Sequence, residues 1–285
     1  MLPEFLSYTF NQKALLVGGL IGFANGYLSG YVVLRKSALM VGSLSHSLLP
    51  GIAVGILVAG LTVWSAFIGA LVAALLVGLG ALFVSRTSRI DGNTALAILY
   101  TSAFSAGVVL LDHIPERINL EDWLFGNILG LSDGDVWAAF VISALVLMTL
   151  TLCQRPLLLM LFEPSVASSQ GVPVRMLNYL LMGLTILALV TSLQAVGYIL
   201  SIGMLVAPAA TVYQFANSPR LMFWGGGILG GITAMLAVVL SNLLDIRTGA
   251  TIVMLLGAEF LLAYIFSPKY GLLAKRKSLH PQHKD

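Results

Sequence analysis

The sequence predicts an all-α membrane protein whose chain crosses the bilayer nine times, or eight if one apolar run is re-entrant or merged. Three observations carry that prediction. Only 9% of the 285 residues are charged, 58% are hydrophobic, and the mean hydropathy is +0.96. Soluble domains hold about 25% charged residues, so this chain lacks the polar surface that a water-soluble enzyme needs. Disordered chains are charge-rich and apolar-poor, which excludes that class too. The apolar runs are also continuous and far longer than the ~10-residue alternating segments of a transmembrane barrel.

A span needs ~20 mostly apolar residues. Such runs lie near 14–34, 44–60, 62–85, 93–111, 136–153, 178–193, 198–216, 221–243 and 249–266. The second is short and contains Pro50-Gly51. The sixth and seventh are parted only by Ser192-Leu193-Gln194-Ala195. These are the two places where the count can fall to eight. With the N-terminus outside, the inner segments hold Arg35, Lys36, Arg86, Arg89, Arg155, Arg175, Arg220, Lys269, Lys275, Arg276, Lys277 and Lys284, against Lys13, Arg117 and Arg247 outside. That asymmetry fits the positive-inside rule and puts the tail in the cytoplasm.

Residues 1–271 read as one membrane domain, followed by a basic cytoplasmic tail, 272–285. Two non-spanning stretches are long: an outer loop, about 112–135, with an amphipathic middle from Trp123 to Leu131, and an inner loop, about 155–177. The N-terminal MLPEFLSYTFNQK has no basic n-region leading into an apolar core and cleavage site, so no cleaved signal peptide is expected. A single cysteine, Cys153, excludes a disulfide within the chain and any thiolate cluster.

Small residues mark helix contacts. Gly18, Gly22, Gly26 and Gly30 recur every four residues and make one bare helical stripe along which another backbone can approach. Packing within the subunit is the favoured reading, with a subunit or pore contact as the other. Gly225-Gly226-Gly227 and Gly230-Gly231 also read as packing, because a phosphate loop needs a Lys after its last Gly. Tyr100–Gly107 carries Thr101, Ser102 and Ser105, which either pack or line a water-filled path. With no nucleotide motif in the chain, any ATPase that drives transport belongs to another polypeptide.

Ionisable groups in a bilayer are costly and mark functional candidates. His46 lies just inside the second run, crowded by Ser43, Ser45 and Ser47. A neutral imidazole is a common metal ligand, although a lone histidine also serves as a hydrogen-bonded packing residue. Pro50 has no N–H for the carbonyl one turn earlier, near His46. Freed carbonyls in broken membrane helices line cavities. Glu259, near the middle of the last run, is a weaker candidate with no local support. His280 and His283, in the tail, are too few for a tetrahedral metal site.

VVLRKSALMVGSLSHSLLPGIAVG, TSAFSAGVVL, WLFGNILGLSDGD, FEPSVASSQGVPV, SLQAVGYILSIGMLVAPAATVY and LDIRTGATIVMLLGAEFLLAYIFSP occur in that order. In these segments the chain resembles the integral-membrane permease subunit of metal-ion ABC importers, the zinc/manganese/iron family. The resemblance runs from about residue 14 to 271 and implies a type II ABC importer-like permease of the bacterial cytoplasmic (inner) membrane. It implies a second permease subunit, same or paralogous, a cytoplasmic ATP-binding subunit that holds the ATP, and an extracytoplasmic metal-binding receptor. The surroundings would be membrane lipid, with no nucleic acid and no covalent cofactor. The transported divalent metal would be manganese, zinc or iron.

By the same resemblance the stretch around Glu163, Pro164, Ala167 and Gly171 would couple to the ATPase. Its residues suit a short helix, with Glu163-Pro164 to start it and Gly171 and Pro173 to stop it. Trp123, Phe125, Gly126 and Asn127 would sit at the outer mouth, where Glu116, Glu121, Asp122, Asp133 and Asp135 would draw cations. One departure stands out. The family's usual pattern, LRR-x-x-LxGDALSHxxxPG, has an aspartate four residues before the histidine, and here Gly42 takes that place. His46 therefore keeps its position without its carboxylate partner. Either a different permease supplies that carboxylate, or this pore holds metal more weakly. An ion-coupled secondary transporter is the alternative, but that class calls for paired intramembrane carboxylates and repeats, neither of which is evident.

Overall fold

The computed structural model describes residues 7–60, 62–111, 126 and 128–267. Among these, twelve α-helices and one 3-10 turn account for the fold, with no strand. The helices are α1 (Thr9–Leu34), α2 (Ala38–His46), α3 (Leu48–Ala59), α4 (Val63–Thr87), α5 (Gly92–Leu111) and α6 (Asp133–Leu152). They continue with α7 (Gln154–Phe162), α8 (Pro164–Ser169), α9 (Val174–Val196), α10 (Tyr198–Tyr213), α11 (Pro219–Leu244) and α12 (Thr248–Phe266).

Eight segments are long and apolar enough to cross a membrane: α1, α2 with α3, α4, α5, α6, α9, α11 and α12. The ninth expected run is α10, only 16 residues and interrupted by Pro208. It still makes a traverse of its own. At one end of the molecule, Tyr213 shares a cavity with Leu34, Phe162 and Pro219, and Arg86 lies 5.1 Å from the ring centre of Tyr179. The Ser267 hydroxyl donates to the Gln214 carbonyl there, at 2.7 Å. Lys13 and Asp133 pair at 2.5 Å at the opposite end. α9 thus leaves the first end and α10 returns to it. Arg35, Lys36, Arg86, Arg89, Arg155, Arg175 and Arg220 all belong to that first end.

Two boundaries differ from the sequence reading. The second span begins at Ala38 rather than 44, because Gly42 and Ser43 lower the local hydropathy without breaking the helix. His46 therefore lies mid-span instead of just inside it. The break between the sixth and seventh runs is not Ser192–Ala195, which is helical, but Gly197 alone. Its φ of 88° suits a residue without a Cβ.

The glycine stripe of α1 is covered from within the chain. A Cβ on Gly22 would meet the Gly230 carbonyl, one on Gly26 the Gly226 carbonyl, and one on Gly30 the Phe223 ring, all on α11. Helices in lipid gain little from hydrophobic exclusion and associate through such close contact and through hydrogen bonds. The hydrogen bonds are present as well. Asn25 Nδ2 donates to Ser192 Oγ at 2.6 Å, tying α1 to α9. Pro208 interrupts the ladder of α10, and the next amide, Ala209 N–H, donates to Ser29 Oγ on α1 at 3.0 Å.

A candidate translocation site at a broken helix

The second span is interrupted at Ser47, between nine-residue α2 and twelve-residue α3. Pro50 is the third residue of α3 and has no N–H to offer the His46 carbonyl. The gap is held against α5, where a Cβ on Gly107 would meet Pro50 Cα at 2.7 Å. α3 is locked to α4 in the same way, with Gly51 against the Gly69 carbonyl and Gly55 against that of Ser65.

These contacts place the His46 ring on α5. It stacks with Tyr100 at 6.2 Å between centroids and meets Phe104 edge-on at 5.8 Å. One turn before it, a Cβ on Gly42 would find only Ile202 Cδ1, at 3.9 Å. Space for the side chain that the family's pattern carries is therefore present, bounded by α10. Thr101, Ser102 and Ser105 are exposed on the same segment of α5 as Tyr100 and Phe104.

The serines contribute less than expected. Ser43, Ser45 and Ser47 hydroxyls donate to the carbonyls of Leu39, Val41 and Leu44, at 3.0, 3.1 and 2.7 Å. Ser45 and Ser47 are fully buried. Their donors are thus committed to the helix itself, a bond that bends helices, and only Ser43 of the three is partly open. No cluster of three or more His, Cys, Asp or Glu side chains occurs among the described residues. Glu259 lies elsewhere, in the α11–α12 interface, where Thr233 Oγ1 donates to its Oε1 at 2.7 Å.

The short helix expected from Glu163 to Gly171 is present. Glu163 is its N-cap residue, Pro164 its first, and only Ala167 is buried. Gly171, at φ 76°, ends it: Gly171 N–H donates to Ser168 O and Val172 N–H to Ala167 O, at 3.1 and 2.9 Å. These are the two bonds of a Schellman cap. Trp123, Phe125 and Asn127 lie outside the described residues. Gly126 is half-buried with φ 70°, and Ile128 beside it packs under α1 next to Gly18. Of the acidic residues expected at an outer mouth, Glu116, Glu121 and Asp122 lie outside the described residues, and the other two are already engaged. Asp133 pairs with Lys13, and buried Asp135 accepts from the N–H and hydroxyl of Ser132 at 2.9 and 2.8 Å.

The model of the ABC 3 transport family matches residues 7–267. The chain belongs to that family. Among curated members it is 37% identical to a manganese transport system membrane protein, MntC, of Halalkalibacterium halodurans, over 95% of this chain and 92% of that one. It is 36% identical to a manganese import system permease protein, ScaB, of Streptococcus parasanguinis, over 98% of both. PsaBC from Streptococcus pneumoniae, solved in complex with a Fab, matches with a TM-score of 0.84 at 31% identity, over 97% of this chain and all of that one. The helical architecture of the described residues is therefore that of an ABC 3 family membrane protein.

Proposed function

We propose that this ABC 3 family member is the permease subunit of an ATP-driven importer of divalent metal cations, with manganese the first candidate because both curated relatives above carry manganese names. The observation that carries the reading is the broken second span. It holds an imidazole mid-membrane beside an unfilled space and next to an α5 face bearing exposed hydroxyls. A face that polar does not suit lipid, so a second permease subunit completes the path along α2 and α5. The basic end of the molecule is cytoplasmic by the positive-inside rule, which presents α8 to an ATP-binding subunit and the opposite end to a metal-binding receptor.

In this mechanism the chain makes and breaks no covalent bond. A cation delivered at the outer mouth exchanges waters for the His46 imidazole and for oxygens of the path and of the second subunit. ATP binding and hydrolysis on the partner shift α8, and the movement reaches α2 through the helices that pack on α9. Replacing His46 with alanine is the test. Uptake of Mn2+ by cells that lack other importers should fall to background while the assembled complex still purifies. Undiminished uptake would sink the proposal.

A further inference from the structure

Toward the basic end of the molecule lies a cavity of about 150 Å³ bounded by the end of α1 and by α2, α4, α5 and α9. Arg35, Lys36, Ser37 and Asn93 line it on the polar side, with Met40 and Met182 among its apolar walls. α1 ends here in a Schellman cap, with Lys36 N–H on Val33 O and Ser37 N–H on Val32 O, both 3.0 Å. Lys36 takes the left-handed position, φ 55°, that glycine usually fills. The sharp turn sets Arg35 and Lys36 together at the cavity rim. Arg35 Nη1 is buried and has no hydrogen-bond partner among the described residues. Burial pulls this guanidinium below its ordinary range, yet arginine stays charged in proteins. The acidic residue nearest in sequence to Asn93, Asp91, is exposed and already accepts from Thr94 Oγ1 and from the Asn93 and Thr94 amides.

A half-buried cation with an unfilled donor, lining a small, half-apolar cavity, calls for an anion. We infer that this cavity binds a phosphate group, that of a membrane phospholipid headgroup, with Arg35 as its principal ligand and Lys36, Ser37 and Asn93 around it. Guanidinium suits phosphate because its planar fork offers paired N–H donors. Basic pockets between the ends of membrane helices are where such headgroups lodge. No residue of α7 or α8 lines the cavity. That favours lipid over an acidic side chain of an ATPase docked on α8.

The test uses the full chain, purified with its partner subunits, and native mass spectrometry with added phosphatidylglycerol, diacylglycerol or inorganic phosphate. The wild type should retain phosphatidylglycerol over diacylglycerol, and Arg35→Gln should retain it about tenfold less, the loss of one charge-assisted hydrogen bond. Arg35→Lys, which keeps the charge and loses the fork, should fall between them. Should Arg35→Gln not assemble, competition on the wild type decides alone. Displacement of the lipid by inorganic phosphate supports phosphate chemistry, and binding of inorganic phosphate with no retained lipid assigns the source to free phosphate. Equal retention of phosphatidylglycerol and diacylglycerol by the wild type overturns the inference. So does equal retention by wild type and Arg35→Gln, or an Arg35-dependent crosslink to a carboxylate of the ATPase. Because the readout is bound lipid, the outcome is separate from whether the chain imports metal.

Discussion

Gly42 leaves room one helical turn before His46, and that room makes a gain-of-function test possible. Side chains four apart on a helix face one another, and a Cβ at Gly42 meets nothing closer than 3.9 Å. Gly42→Asp should therefore be accommodated without loss of fold and should add a hard oxygen ligand beside the imidazole. We expect metal to be held about tenfold more tightly, the effect of roughly 1.4 kcal/mol, as read by Mn2+ titration of the purified complex. No change in affinity would show that the second subunit already supplies that carboxylate. His46 was legible from the sequence because an ionisable group in an apolar run is conspicuous. The commitment of Ser43, Ser45 and Ser47 to Leu39, Val41 and Leu44 was not, since nothing in residue order separates a hydroxyl bonded to its own helix from one facing a path. The partnership of His46 with Tyr100 and Phe104, 54 and 58 positions on, depends on how α2 packs on α5 and leaves no mark in either segment alone.

At the scale of elements, α8 is set by its ends. Gly171 holds a left-handed conformation, so Gly171→Val would pay about 1–2 kcal/mol for its Cβ and loosen the Schellman bonds from Val172 and Gly171. The expected result is weaker retention of the ATP-binding subunit in co-purification, with the membrane helices intact by circular dichroism. Retention equal to wild type would mean that α8 is not the docking element. This helix was readable in the sequence because Pro164 and Gly171 are local signals with local causes. Pro50 is another such signal, although its consequence was only half visible. It announces a missing hydrogen bond, while the clamp that keeps the break open comes from Gly107 on α5. Pro50→Ala restores the N–H that the His46 carbonyl lacks. We expect thermal stability equal to or above wild type with reduced uptake. Full uptake would show that the break is incidental to transport.

On the scale of the whole molecule, α1 and α11 form the most intimate pair, glycine to glycine. Gly26→Ala drives a methyl into the Gly226 carbonyl, and the helices must part. Overpacking of that kind costs about 1–3 kcal/mol, and a lowered melting temperature in detergent is the expected reading. An unchanged one would mean that the pair yields freely. The sequence announced the stripe on α1 and the glycines on α11, but not that they face each other, since pairing between segments some 200 residues apart leaves no local trace. The short α10 was visible as an apolar run and still hard to count. At ~1.5 Å per residue its 16 residues reach about 24 Å, short of the ~30 Å hydrocarbon layer. It is sheltered by α1, α11 and α12, so it need not match that layer.

The interruption at Ser47 divides one span between two neighbourhoods. α3 is fastened to α4 and α5 through Gly51, Gly55 and Gly107, while α2 reaches toward α10, which is pinned to α1 through Ser29 and Ala209. Ser47 itself sits at φ −73° and ψ −9°, at the edge of the helical region, fully buried and with its hydroxyl on the Leu44 carbonyl. One residue thus joins a clamped block to a central column. The aromatic stack around His46 bridges the two, with the imidazole on α2 and the Tyr100 and Phe104 rings on α5. A tilt of the column against the block would change how the imidazole stacks on Tyr100, so the ring proposed to meet the cargo would also report the posture of the protein.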